Sequence, residues 1–183
     1  MKCNLNDEEL EYLNDFKKEL EELKSTLNGS DEIKWWIKSF KEVVNANKFY
    51  ISTVCEGDLM NYYQRNFKLF KGIKSHSIVY VNLGCGFPKE LRYGHFAYVY
   101  KVIDGKALII PLVSIKKFDR DLKAFELAIV IINHGMVTPS LMRMDEMRWI
   151  DIQRINESRA VPEQVQTPRW VIESSIKQYL DFK

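Results

Sequence analysis

Cysteine is scarce in this 183-residue chain: Cys3, Cys55 and Cys85 are odd in number, far apart and without a CxxC pair. That excludes a disulfide framework or a zinc ribbon and predicts reduced thiols in a cytosolic protein. Histidine is scarcer in effect. His76, His95 and His134 share no HxH or HxxxH spacing, so no metal site is expected. Long apolar runs are missing too, which excludes a membrane-spanning helix, and the first helix opens on charges, so no signal peptide is expected. Net charge is only +2, so any anion-binding surface must be local rather than spread over the molecule. The expectation is a cytoplasmic protein with no membrane association and no cofactor.

What is present is apolar residue in quantity, 46% of the chain, enough for a sizeable core. Leu13, Phe16, Leu20, Leu23 and Leu27 recur at spacings of three and four, which predicts a helix with a narrow apolar seam. Asn28-Gly29 breaks it. Ser30 is placed to cap a second helix with Ile33, Trp36, Ile37, Phe40, Val43 and Val44 on one face. The link is short enough for an antiparallel hairpin. Leu59, Tyr63, Phe67 and Phe70 suggest a third helix ending at Gly72.

From Ser77 the pattern becomes β. SIVYVNL alternates, GCGFP turns, HFAYVYKVI follows, Asp104-Gly105 signals a hairpin, and ALIIPLVS returns. ELAIVIIN is another strand, with a turn at His134-Gly135. Ser140–Met144 and Met147–Ile152 read as short strands around a tight bend. Five or six short strands in so short a stretch predict a small barrel or a strongly bent sheet. After a loop over 162–167, Thr167 as cap and Pro168 as first residue open a last helix with Trp170, Ile172, Ile176, Leu180 and Phe182 as its apolar face. The expected organisation is α+β: a helical region over 1–75, then a β domain with a C-terminal helix over 76–183.

Three blocks of the β region, IVYVNLGCGFPKE, GHFAYVYK with ALIIPLVS, and SLMRMDEMRWIDIQRI, occur in an order and spacing that resembles the PemK/MazF family. Glu90 stands at the place of the family's loop glutamate, and Ser140, Arg148 and Arg154 fall in register. The chain departs from the pattern at His95, where many members carry arginine, and at Val113-Ser114, where many carry threonine and serine. The resemblance covers about 77–155. It implies an SH3-like small β-barrel and a symmetric homodimer. It implies metal-independent cleavage of single-stranded RNA, and a partner antitoxin protein that neutralises it.

Metal-free RNA cleavage needs a base for a 2′-hydroxyl proton, an acid for the departing 5′-oxygen, and donors for phosphorane charge. His95 suits either of the first two roles, because imidazole titrates near neutrality. Arg92 is suited to forking onto phosphate oxygens. Ser114 is suited to hydrogen-bonding the scissile phosphate. These three are the candidate catalytic residues, and each also has a plain structural reading as a strand, loop or turn residue. Glu90 is placed to act as a base, to orient His95, to contact RNA, or to pair with Arg92 at the surface. Lys89, Lys116 and Lys117 are candidate RNA-backbone contacts, and Phe87 and Tyr93 candidate stacking platforms for bases. Arg148 reads as structural.

From Leu59 through Lys89 there is no acid, while Arg65, Lys68, Lys71, Lys74 and Lys89 interleave with Tyr62, Tyr63, Phe67 and Phe70. The first 28 residues lean the other way, with eight acids against four lysines. One expectation is that this acidic helix folds over the basic face and competes with RNA, so that its deletion raises nuclease activity. The alternatives to a ribonuclease are a catalytically degenerate RNA-binding module on the same barrel and a protein-interaction module.

Overall fold

The computed structural model describes residues 6–27, 31–49, 73–87, 89–115, 121–133, 136–156 and 164–181. The expected third helix with its basic and aromatic residues, the His134-Gly135 turn, Lys116 and Lys117 lie outside them. The chain divides into two compact units, Met1–Lys38 and Ser39–Lys183.

The first unit contains helix α1 (Asp7–Leu27) and the start of α2 (Asp31–Phe49). Asn6 and Glu9 form a reciprocal cap, each side chain accepting the other's backbone N–H at 2.8 Å, which satisfies two of the donors that a helix start leaves orphaned. Within the seam, Leu13 and Phe16 are exposed and Leu20 and Leu23 half-buried. The break in α2's unit membership falls at Lys38, so residues 39–49 of this helix belong to the second unit.

In the second unit alternation sets the layers. The strands are β1 (Ser77–Asn82), β2 (Gly94–Ile103), β3 (Lys106–Ser114), β4 (Glu126–Asn133), β5 (Met136–Arg143), β6 (Arg148–Asp151) and β7 (Gln164–Val165). Ile78, Tyr98, Ile110 and Leu112 point to one side of the sheet. There they meet Ile129, Ile131, Met142 and, from helix α3 (Arg169–Asp181), Ile172 and Ile176. Val79, Val81, Ala97, Val99, Ala107 and Ile109 point to the other side and meet Ile150, Ile152 and Ile155. Side chains of successive strand residues project to opposite faces, so one run of sequence builds both cores.

All pairings are antiparallel, in the order β1-β2-β3-β5-β4-β7, with β6 also on β3. β3 therefore serves two partners along one edge. Its start pairs β6 as far as Ile109–Arg148, and its end pairs β5 from Leu112–Met142. Pro111, which has no N–H to donate, occupies the gap between the two ladders. The β2–β3 hairpin turns at Asp104 (φ 45°) and Gly105 (φ 72°), as the Asp-Gly pair predicts. Among the described residues no ladder joins β1 to β7, so the sheet is open there.

The last helix differs from expectation on its face. Ile172 and Ile176 are buried, but Trp170 is 69% exposed and Leu180 59%; Phe182 lies outside the described residues. The hydroxyl oxygen of Thr167 accepts the Val130 N–H at 2.8 Å, tying the helix entry to β4. Among the described residues no helix is long and apolar enough to cross a membrane.

Candidate functional site

The stretch between β1 and β2 carries most of the sequence-predicted residues. Its base is closed by two backbone bonds, Leu83 N–H to Tyr93 O at 2.8 Å and Tyr93 N–H to Gly84 O at 2.7 Å. Gly84 sits at φ +93°, where a side chain would be strained, and Tyr93 takes φ +67° although it has one. Just beyond, Gly94 leaves room for the Tyr80 ring; a Cβ there would overlap the Tyr80 hydroxyl. The chain thus enters β2 pressed against an aromatic floor.

Inside the loop, Glu90 makes a local turn. Its N–H donates to Phe87 O at 2.9 Å, and its carboxylate accepts the Phe87 N–H at 3.0 Å. Phe87 is held at the tip, 78% exposed, with Lys89 also exposed beside it. A solvent-facing ring on a pinned turn is suited to stacking, worth ~1–3 kcal/mol per base where a base is present. Arg92 is half-buried and its guanidinium lies over the Tyr93 ring at 5.5 Å. That cation–π contact keeps its charge on the loop surface.

A buried acid that the sequence did not single out holds the loop from below. Glu146, 7% exposed, accepts the Leu91 N–H at 3.1 Å and is ion-paired with Arg148, whose Nε also donates to Glu146 O at 3.3 Å. Arg148, read from the sequence as structural, makes this pair within the bend. It neutralises a carboxylate that would otherwise be costly to bury. An acid in the bend after a strand has no distinctive spacing, so nothing in the sequence points to this tether. Arg154, also absent from the predicted site, is exposed and reaches within 3.9 Å of where a Gly84 side chain would begin.

His95 is half-buried at the start of β2, paired in register with the fully buried Val81. Its Nε2 lies 2.9 Å from Arg92 O. A carbonyl only accepts, so Nε2 carries the proton, and the lone pair of the neutral ring is on Nδ1. Among the described residues nothing hydrogen-bonds to that Nδ1. The ring is oriented by one nitrogen and has the other available.

Ser114 is exposed at the end of β3, paired with Ser140 on β5. The β2–β3 ladder ends at Ala97–Pro111, and no hydrogen bond joins Ser114 to His95. The fold therefore brings Glu90, Lys89, Tyr93, Phe87, Arg92 and His95 onto one loop and strand start, and leaves Ser114 on a neighbouring strand end. Cys85, also in the loop, has its thiol pushed up by burial, against weaker lowering by a Ser39 hydrogen bond and Arg92. Burial disfavours the thiolate and argues against a nucleophilic cysteine. Among the described residues no three acids, histidines or cysteines cluster so as to hold a metal ion.

No protein-family model and no curated protein matches this chain.

Proposed function

We propose that this chain is an endoribonuclease of the PemK/MazF toxin kind, a cytoplasmic protein whose β region is an SH3-like small barrel. One observation carries the reading most directly. His95 is a half-buried imidazole with its Nε2–H spent on a backbone carbonyl and no bond to its Nδ1 among the described residues, on a loop that also presents Arg92, Tyr93 and Phe87. Support for the barrel reading comes from β3, one edge of which is shared between β6 and β5.

In this reading single-stranded RNA lies along the loop, with a base against Phe87 or Tyr93 and the backbone near Arg92, Lys89 and Arg154. Lys116 and Lys117 are assigned further contacts to the RNA backbone. His95 Nδ1 takes the 2′-hydroxyl proton as the 2′-oxygen attacks phosphorus. The bond to the 5′-oxygen breaks, and that oxygen takes a proton from a water molecule as it leaves. The products are a 2′,3′-cyclic phosphate and a 5′-hydroxyl. Arg92 faces the charge that develops on the phosphorane, and Ser114 is assigned a hydrogen bond to a non-bridging oxygen. Glu90 shapes the loop through Phe87 rather than acting as a base. A homodimer and a neutralising antitoxin protein complete the proposal.

A second reading is favoured by the absence of a hydrogen bond between Ser114 and His95. The same loop grips RNA without cutting it. One experiment decides between them. Purified protein is incubated with mixed single-stranded RNA in EDTA, and the ends are mapped. Cyclic-phosphate ends that disappear in His95→Ala support the nuclease. Intact RNA with salt-dependent binding supports the binding module. Neither cleavage nor binding refutes both.

A further inference from the structure

Asn82, the last residue of β1, uses every hydrogen-bonding position of its amide. Its Oδ1 accepts from Ser39 Oγ at 2.7 Å and from the Gly84 N–H at 2.8 Å. Its Nδ2 donates to Ser39 O at 3.2 Å and to Glu42 Oε2 at 2.9 Å. An asparagine amide offers two donor hydrogens and two acceptor lone pairs, so the group is saturated. The Gly84 N–H fixes which end is oxygen, because only the oxygen can accept it.

Ser39 is the buried residue of α2, 3% exposed. Serine is a mediocre helix former and adds little apolar packing. Its burial here is accounted for by its two bonds to Asn82. The helix is thereby fastened to the loop by polar groups, whose directionality fixes position more tightly than apolar contact does.

The connection continues to the imidazole. Gly84, held through its N–H by Asn82, accepts the Tyr93 N–H at 2.7 Å; Tyr93 in turn accepts the Leu83 N–H at 2.8 Å. Tyr93 follows Arg92, whose carbonyl receives the His95 Nε2–H at 2.9 Å. A continuous path of short bonds and adjacent peptide units runs from α2 to the ring.

We infer that Asn82 is a positioning residue, and that through it Ser39 and Glu42 of α2 set the orientation and tautomer of His95. The inference rests on the reading of His95 as the acid–base group. Residues 39–42 support the site, so disconnecting α2 lowers cleavage.

The test uses the full chain in two arms. Long-range ¹H–¹⁵N NMR of the His95 ring, without RNA, reports the tautomer. Wild type is expected to show protonated Nε2 and bare Nδ1, and Asn82→Ala and Ser39→Ala a mixture of tautomers. Steady-state cleavage of RNA is expected to lose ~10–100-fold in kcat with KM within about threefold, the size of effect that misplacing a catalytic group produces. Ser39→Thr, which keeps the hydroxyl, restores both readouts. Folded Ser39→Ala and Asn82→Ala proteins with a wild-type His95 spectrum overturn the inference. If Asn82→Ala fails to fold, Ser39→Ala and Ser39→Thr decide it alone. A wild-type chain that leaves RNA intact refutes the nuclease reading instead, and the His95 spectrum still decides whether Asn82 positions the ring.

Discussion

His76 and His95 stand at opposite faces of the same sheet and are held in opposite ways. His76 precedes β1 at φ 62°, with its N–H on Val99 O at 2.8 Å and Nδ1 3.0 Å from the Tyr98 hydroxyl. Its ring meets Tyr98 edge-on, at 5.7 Å and 84°. Tyr98 is 1% exposed, and burial above all pushes its phenol up to about 12. Burial and the nearby Arg169 hold the His76 imidazole below its ordinary value, partly offset by Glu173, which pairs with Arg169 at 2.7 Å. His95 instead bonds a carbonyl of a surface loop through Nε2. Among the described residues each ring has one bonded nitrogen, so the contrast lies in the partner. A buried hydroxyl ties the His76 ring into the core, whereas a loop carbonyl leaves the His95 ring at the edge of the candidate site.

The contrast breaks most readily at His95. Replacing it with alanine is expected to lower RNA cleavage by ~10²–10⁴-fold with an unchanged urea midpoint. The mirror experiment is His76→Ala, which leaves the Tyr98 hydroxyl without this partner. It should cost about 1–3 kcal/mol in urea unfolding and leave cleavage near wild type. If both variants lose activity equally at equal stability, the two faces do not differ in role.

Packing should separate in the same way. Ile172→Ala empties a fully buried position under α3 and is expected to cost about 2–5 kcal/mol by thermal or urea unfolding. Cleavage by the folded fraction should persist. Gly94→Ala pushes against Tyr80, on the Ile78 face of the sheet, and should cost about 1–3 kcal/mol through overpacking. Here cleavage should fall as well, because Gly94 directly precedes His95 in β2 and a shift of its backbone moves the ring.

The smallest expected effect is on pH. His76 has a lowered value in the folded protein, so between that value and its ordinary one the unfolded chain binds more protons. Its contribution is therefore complete above the ordinary imidazole range and is lost as pH falls toward the lowered one. His76→Gln, which can still accept from Tyr98, should flatten the acid limb of a stability-against-pH curve. A limb of undiminished slope would show that His76 is not the group responsible.

Local signals were legible in the sequence. Alternation placed β1 to β4 within a residue of their observed ends, and Asp104-Gly105 placed the hairpin, because both depend on neighbours along the chain. The candidate loop was legible as well, through its glycines and the cluster from Phe87 to His95. Relations across the chain were not. Which face α3 buries depends on the sheet it meets, so Trp170 and Leu180 read as core and are exposed. Thr167 read as a cap and is turned to Val130. Glu146 beneath Leu91, and Ser39 against Asn82, are hydrogen bonds between distant residues that leave no period to detect. That the β2–β3 ladder stops at Ala97–Pro111, short of Ser114 and His95, is likewise something composition does not encode.

The divided edge of β3 bears on how the chain is made. That strand joins β2 across a tight hairpin at once, but its other edge stays without partners until residues as far along as Asp151 have been synthesised. While the ribosome is still extending the chain, the nascent β1–β2–β3 meander shows an apolar rim to the cell. Non-local pairing of this sort slows folding toward the millisecond-to-second range. Chaperone demand during translation should therefore peak in the interval between the emergence of Ser114 and that of β6.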